Sequence, residues 1–479
     1  MASPGGHDAT TGWWRFALAS RNHTFDGYLV VLDSSIDFSD VEWNSVDDSH
    51  AFTVGSEDTR FSGTFDGAGN TLSGLNNERE GLQLQMDNGF FGWVNEATIK
   101  NVNFKDCYVG STYRGGLVAG YAQDSFFLNI TAEDCTTSVI PANNVLNLIT
   151  NAGISGGTIA GVANGCTLYN CEMRAGRVVT NATAGVAALG GQPLYMGGLV
   201  GQANDATIEY CRVTDKVDEN GGRVFAQVQN RYDTAVSVAN YSEVFTGGIV
   251  GCMQGEDTGS KIVDCYSTAD VYSYAAIRFA VGLGLGVTRG YTGGIAGIVR
   301  DGGDGQNLIE RVSYAGNLHS YNYNIILLGI PAIEYDKYMG GITGRGGNNA
   351  TINQAYFMRH PNGAGMGSLT SEDIYAVKTT YNGGYSDGAA YGPRDESYAS
   401  REFWEGCDFD MAGGTLRNVG YEFTPDATAD EWNDSHYNKW VMDYDRGIPV
   451  HGGSIKATMD FPGSGSVTIG TTSLASNAP

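Results

Sequence analysis

The sequence predicts an all-β chain wound as a parallel β-helix, a solenoid with long loop insertions on one face. Three observations carry the prediction. A glycine-rich segment recurs six times at similar spacing, two apolar columns recur in phase with it, and the residues between them are those of short strands and turns.

The glycine segments are GGLVAG from Gly115, GGTIAG from Gly156, GGLVG from Gly197, GGIVG from Gly247, GGIAG from Gly293 and GGITG from Gly340, spaced by 41, 41, 50, 46 and 47 residues. GFFGW from Gly89 is a diverged copy. Downstream of the copies lies a second element, including TLYNC from Thr167, TIEYC from Thr207 and KIVDC from Lys261. Aligned, these give one column of Val102, Ile130, Cys171, Cys211, Cys265, Val312 and Ala355. A second, three residues earlier, holds Ile99, Phe127, Leu168, Ile208, Ile262, Ile309 and Ile352. Equivalent residues of stacked parallel strands lie about 4.8 Å apart, so both columns read as interior ladders. Propeller blades have a similar period but need four antiparallel strands with regular hairpins, and the variable spacing disfavours them. Each repeat reads as about two coils. The glycines are expected where backbone turns tightly or packs closely.

Composition excludes other classes. Glycine supplies 69 of 479 residues, roughly twice the usual ~7%. It has no three-residue period, so collagen is out. Aromatics at 11% argue against disorder. A net charge of −25 disfavours nucleic acid and anionic membrane surfaces as partners. The longest apolar run, near 275–287, is interrupted by Arg278 and falls short of the ~20 residues that span a bilayer. The N-terminus lacks a basic segment followed by an apolar one, so no secretory signal is expected there. Residues 1–50 are expected to form a cap, 51–450 the β-helix and 451–479 a tail or linker. The chain reads as a monomeric ectodomain.

The eight cysteines show no disulfide spacing. Cys171, Cys211 and Cys265 occupy the interior column, where a thiol acts as a small hydrophobe. Cys107 and Cys135 each follow that column by five residues and are expected to be stacked neighbours. The cysteines and seven histidines give no zinc pattern, and no metal or cofactor is expected. DGGDGQN from Asp301 resembles a calcium loop but lacks the closing bidentate Glu, and reads as a solvated turn.

Chemistry is expected on an outer face. An aromatic column two residues before the glycine pairs holds Tyr113, Tyr195, Phe245, Tyr291 and Tyr338. It reads first as a stacking ladder and second as a platform for sugar rings. Two adjacent repeats replace a short turn by longer acidic ones, CMQGEDTGSK from Cys252 and IVRDGGDGQN from Ile298, which should share one edge. Asp257 lies in the first, and Asp264 follows on the strand, pointing outward by alternation. Asp264 reads as a choice at its position, since the same column elsewhere holds Asn101, Asn129, Asn170, Tyr210, Arg311 and Gln354. Two carboxyls about 5–9 Å apart suit glycoside hydrolysis, one protonated and one ionised. Asp257 and Asp264 are therefore the catalytic candidates, with Glu256, Asp301 and Asp304 able to raise one pKa. Asp301, Asp304, Gln306, Tyr291 and Tyr338 are the substrate-binding candidates. A second candidate surface lies in 223–233, 270–279 and 317–338, rich in Tyr, Asn, Gln and Arg. Its reserve carboxylates are Asp233, Asp270, Glu334 and Asp336, and most of it is expected to be strand.

FSGTFDGAGNTLSGL from Phe61, GFFGWVNEATIKNV from Gly89, the recurrent glycine segments, and the closing EFW and KWVMDYDRGIPV resemble the GLUG-motif surface proteins. The resemblance covers roughly residues 50–450 and implies a right-handed β-helix. More loosely, the chain resembles the glycoside hydrolase family 136 lacto-N-biosidases of gut bacteria, retaining enzymes with two Asp seven residues apart. Asp257 and Asp264 have that spacing, as do Asp26, Asp33, Asp40 and Asp47, which precede the repeats. The resemblance implies an extracellular or surface-anchored hydrolase releasing lacto-N-biose from milk-type glycans. The alternative is a non-catalytic adhesin or glycan-binding β-helix. A polysaccharide lyase is disfavoured, because acidic polymers call for basic residues.

Overall fold

In a computed structural model, residues 8–41, 52–77, 87–140, 153–184, 193–237, 241–280, 287–300, 303–324, 336–347 and 350–357 are described, with seven short strands beyond. Three parallel sheets run the length of a β-helix. Sheet 1 stacks Thr64–Asp66, Thr98–Lys105, Phe126–Glu133, Thr167–Arg174, Thr207–Glu209 with Arg212–Thr214, Lys261–Ser267, Asn307–Tyr314 and Ala350–Phe357. Sheet 2 holds the glycine segments, those from Gly115 to Gly293 bent between two short strands such as Leu194–Gly197 and Val200–Asn204, the last within the single strand Asp336–Arg345. Sheet 3 stacks Tyr108–Ser111, Thr136–Val139, Arg177–Ala184, Gln227–Ser237, Asp270–Ala280 and Leu318–Asn324. Residues 227–233, 270–279 and 318–324 of the sequence insertions are thus sheet 3 strand. The antiparallel pairs among the described residues are three small hairpins.

One repeat is one coil, not two. Gly116 pairs directly with Gly157, and Gly197 with Gly247. The repeat is long because each turn crosses all three sheets and their corners. The two apolar columns form interior ladders, as in Val102↔Ile130↔Cys171 and Ile99↔Phe127↔Leu168, and every member is buried. Cys107, Cys135, Cys166, Cys171, Cys211, Cys252 and Cys265 are free and buried.

Strict alternation cannot put residues three apart on one face. The sheet 1 strands solve this with a kink just before the second interior residue. Asn101, Asn129, Asn170, Tyr210, Asp264, Arg311 and Gln354 all adopt φ of +47 to +54°. This is the left-handed region, which Asn and Asp enter most readily. Asp at 264 is therefore among the residue types this position prefers, which corrects its reading as a choice free of the repeat.

The glycine pairs serve close approach, since none of them has positive φ. A Cβ on Gly247 would run into the Val250 carbonyl oxygen, and one on Gly248 into that of Gly294. Helix Asp8–Ala19 covers the first coil. Its Trp13 packs edge-on against Phe16, Phe38, Phe65, Phe90 and Phe91, and donates from Nε1 to the Phe52 carbonyl at 2.7 Å. Each such buried ring contributes roughly 1.5–3 kcal/mol. Within the segment read as a tail, Gly465–Ile469 forms a parallel strand beside Tyr28–Leu32.

Candidate functional site

The acidic turn from sheet 2 to sheet 1 around residue 257 is built around a residue of the preceding coil. Asp205 accepts the backbone N–H groups of Glu256, Asp257, Thr258 and Gly259 at 2.8–3.2 Å. Burial would raise the Asp205 pKa, but these four donors outweigh it and lower it. The side chains of Glu256 and Asp257 stay exposed. The next acidic turn lies directly upon this one, since a Cβ on Gly259 would strike the Gln306 backbone. The two turns do share an edge. Asp304 and Gln306 are exposed on it, while Asp301 lies outside the described residues.

Asp264 is placed differently. It is 5% exposed, on the outer side of sheet 1, at the kinked column. Arg311, at the same column one coil later, donates from Nε and Nη2 to its two carboxylate oxygens, both at 2.8 Å. Glu310 accepts from Arg311 Nη1 at 2.9 Å, and the Arg311 pKa is raised, first through its hydrogen bonds to Asp264. On the preceding coil, Glu209 pairs in register with Val263, which makes it the diagonal neighbour of Asp264. Burial, then the Asp264 charge, raises the Glu209 pKa. Tyr169 and Tyr210 border the pair, ring to edge at 5.4 Å. The structure thus sets Asp264 beside Glu209, a carboxyl that sequence reasoning missed because it is not spaced like a pair along the chain.

Two columns along the same face is a second charged group. Glu172, 1% exposed, accepts from Arg212 Nη2 at 2.7 Å, Arg174 Nε at 3.0 Å and the Thr214 hydroxyl at 2.9 Å. Burial alone would raise its pKa. Arg212 and Arg174 outweigh that and lower it to about 2. Lys216 pairs with Asp134 beside it. An asparagine ladder links the coils, with Asn129 donating to Asn101, and Asn170 to Asn129.

The aromatic column on sheet 2 is a stack. Tyr195, Phe245, Tyr291 and Tyr338 lie 4.7–4.9 Å apart with interplanar angles of 4–19°. All four are buried, with Cys252 and Ile298, in a cluster separate from the interior core. Arg300 covers one end, its Nη2 on the Tyr195 hydroxyl at 2.7 Å. Burial pushes the Tyr291 phenol up to about 12. The faces of Tyr291 that a sugar would stack on are occupied by Phe245 and Tyr338. Tyr113 falls outside the stack. Ser155 pairs with both Arg114 and Tyr195, so Arg114 holds the equivalent position.

Of the reserve carboxylates, Asp233 is buried and paired with Arg231 at 3.1 Å. Asp270 accepts from Asn317 Nδ2 at 2.8 Å. Asp336 begins a sheet 2 strand, and Glu334 lies outside the described residues. Among the described residues, no group of three or more His, Cys, Asp or Glu is placed to hold a metal, and no helix is long and apolar enough to cross a membrane.

No curated protein matches the chain. A solved Bacteroides ovatus protein, named as a candidate immunoglobulin A1 protease, is similar at 15% identity and a TM-score of 0.40, over 82% of this chain and 86% of that one. Residues 193–218 match the GLUG motif. That stretch is one glycine bend of sheet 2 followed by its sheet 1 strands.

Proposed function

We propose that this GLUG-bearing β-helix is a glycoside hydrolase acting on β-linked oligosaccharides outside the cell, with its chemistry on the outer face of sheet 1. One observation carries the reading: Glu209, whose pKa is raised, lies diagonally beside Asp264, whose oxygens are held by Arg311. A carboxyl whose pKa is raised, next to one held by an arginine, fits the pairing of acid and nucleophile in glycoside hydrolysis. Asp264 would face the anomeric carbon and Glu209 the glycosidic oxygen. Tyr169 and Tyr210 offer apolar contact for the ring. Asp257 remains the alternative acid, on the exposed turn.

Aryl lacto-N-bioside and lacto-N-tetraose are the substrates to test first. Asp264→Asn and Glu209→Gln should each lose at least about a hundredfold in kcat/KM, and Asp257→Asn should do so only if it replaces Glu209 as the acid. Unchanged hydrolysis in both Asp264→Asn and Glu209→Gln would overturn the assignment.

A second reading, a non-catalytic glycan-binding or adhesive β-helix, is favoured by the same residue's burial. Asp264 is 5% exposed, in a column whose other members tie coils together. It predicts no hydrolysis by the unaltered protein.

A further inference from the structure

The outer face of sheet 3 changes character along the helix. One column runs Gly110, Ser138, Val179, Gln229, Tyr272 and His319 through successive coils. A neighbouring column runs Asn181, Arg231, Tyr274 and Tyr321. Rings enter these columns only in the last two coils, so the repeat does not require them. The Tyr272 and His319 rings stack at 4.2 Å and 5°. The Arg231 guanidinium lies over Tyr274 at 4.8 Å. His319 is buried, but unlike the sheet 2 stack the group is not sealed throughout: Tyr272 and Tyr274 are half-buried, and Tyr321 is 37% exposed.

We propose that this face binds a neutral oligosaccharide, as a site separate from the carboxylates of sheet 1. The chemistry selects the ligand. Tyr321, the most exposed of these rings, offers apolar contact for the C–H face of a pyranose, while Tyr272 and Tyr274, whose rings meet His319 and Arg231, offer their hydroxyls. The phenol hydroxyls, the Gln229 amide and the Arg231 guanidinium offer donors and acceptors for its hydroxyl groups. Coils about 4.8 Å apart space these columns at close to the length of one sugar unit, so a chain laid across the coils meets a polar or aromatic side chain at each coil. The net charge of −25 works against polyanions. The proposal stands without the hydrolase reading, since a binding face serves a catalyst or an adhesin alike.

The test is calorimetric titration of the full chain with lacto-N-tetraose and with chitotetraose. The titrations with lacto-N-tetraose are made on the Asp264→Asn protein. Tyr274→Ala with Tyr321→Ala should weaken binding at least tenfold while the thermal transition stays in place. Gln229→Ala should weaken it less. Asp264→Asn and Glu209→Gln should leave intact the chitotetraose binding that the double substitution removes, so loss of hydrolysis and loss of binding at this face are separable. Binding unaffected by the double substitution would overturn the proposal. So would no binding of either sugar by the unaltered protein, or binding of heparin or a peptide at this face instead.

Discussion

Sheets 2 and 3 both carry aromatic columns on their outer faces, yet the two columns live in different surroundings. On sheet 2, four rings are stacked and buried, with Arg300 over Tyr195 and Phe245. On sheet 3, His319 is buried but the three tyrosine rings are partly open to solvent, Tyr321 most of all. Sheet 1 sides with sheet 2, its outer charges being paired across coils. A stacked ring that is sealed supports the coil, whereas an open one is available to a ligand. Burial, not residue type, separates the two roles.

The largest test of that contrast is Tyr291→Ala. The ring is gripped on both faces, so its loss opens a cavity that neighbours cannot fill. A destabilisation of about 3–5 kcal/mol is expected, read from urea unfolding. A loss under about 1 kcal/mol would place the sheet 2 stack with the open face of sheet 3.

Glu172→Gln is next, at about 3 kcal/mol, because it leaves Arg212 buried without its counter-charge. Acid gives an independent view of the same group. The folded pKa is about 2 against an ordinary 4.5, so its contribution is complete above about 4.5 and is lost as pH falls toward 2. The shift corresponds to about 3 kcal/mol. Stability measured from about pH 5 down to pH 2.5 should therefore fall less steeply in Glu172→Gln than in the unaltered protein. Parallel slopes would mean that Glu172 is not held ionised by Arg212 and Arg174.

Asp264→Asn has a smaller expected cost, about 1–2 kcal/mol. Asn tolerates the left-handed backbone as well as Asp does, so the substitution removes charge and leaves the kink. Arg311 is partly exposed and water can replace the lost partner. A Tm equal to that of the unaltered protein would show that the pair adds nothing to stability, and would strengthen the case that Asp264 is there for chemistry.

Sequence reasoning found the fold because a repeat writes each structural position several times. The small residue after the kink is Val102, Ile130, Cys171 and onward, and no single copy is needed to see that it is interior. The coil count was not legible, because a period gives residues per repeat and not sheets per repeat. The kink was hidden as well: two interior residues three apart demand an extra residue between them, and the Asn-rich column supplies it. Charge pairing could have been read. Glu172 and Arg212 share a column in consecutive repeats, as do Asp264 and Arg311, and equivalent residues of adjacent coils touch. Asp205 could not have been, since its partners are backbone N–H groups of a turn folded onto it. The candidate site shares that limit. Glu209 meets Asp264 diagonally across coils, a relation that spacing along one strand does not record.

The smallest effect is the sharpest discriminator. Tyr321 is over a third exposed and is the last member of its column among the described residues, so Tyr321→Ala should change stability by no more than about 0.5 kcal/mol, as surface substitutions do. The same truncation at Tyr291 removes a ring with neighbours on both faces. If sheet 3's rings were a second structural stack, the two substitutions would cost comparable amounts, and Tyr321→Ala would approach the lower end of the Tyr291→Ala range. If the face is kept open for a ligand, Tyr321→Ala should leave the unfolding midpoint in place and reduce only the added stability that saturating chitotetraose confers, an increment set by ligand concentration relative to Kd. Measuring both proteins with and without the sugar therefore separates packing from binding on one apparatus, because packing shows without ligand and binding only with it.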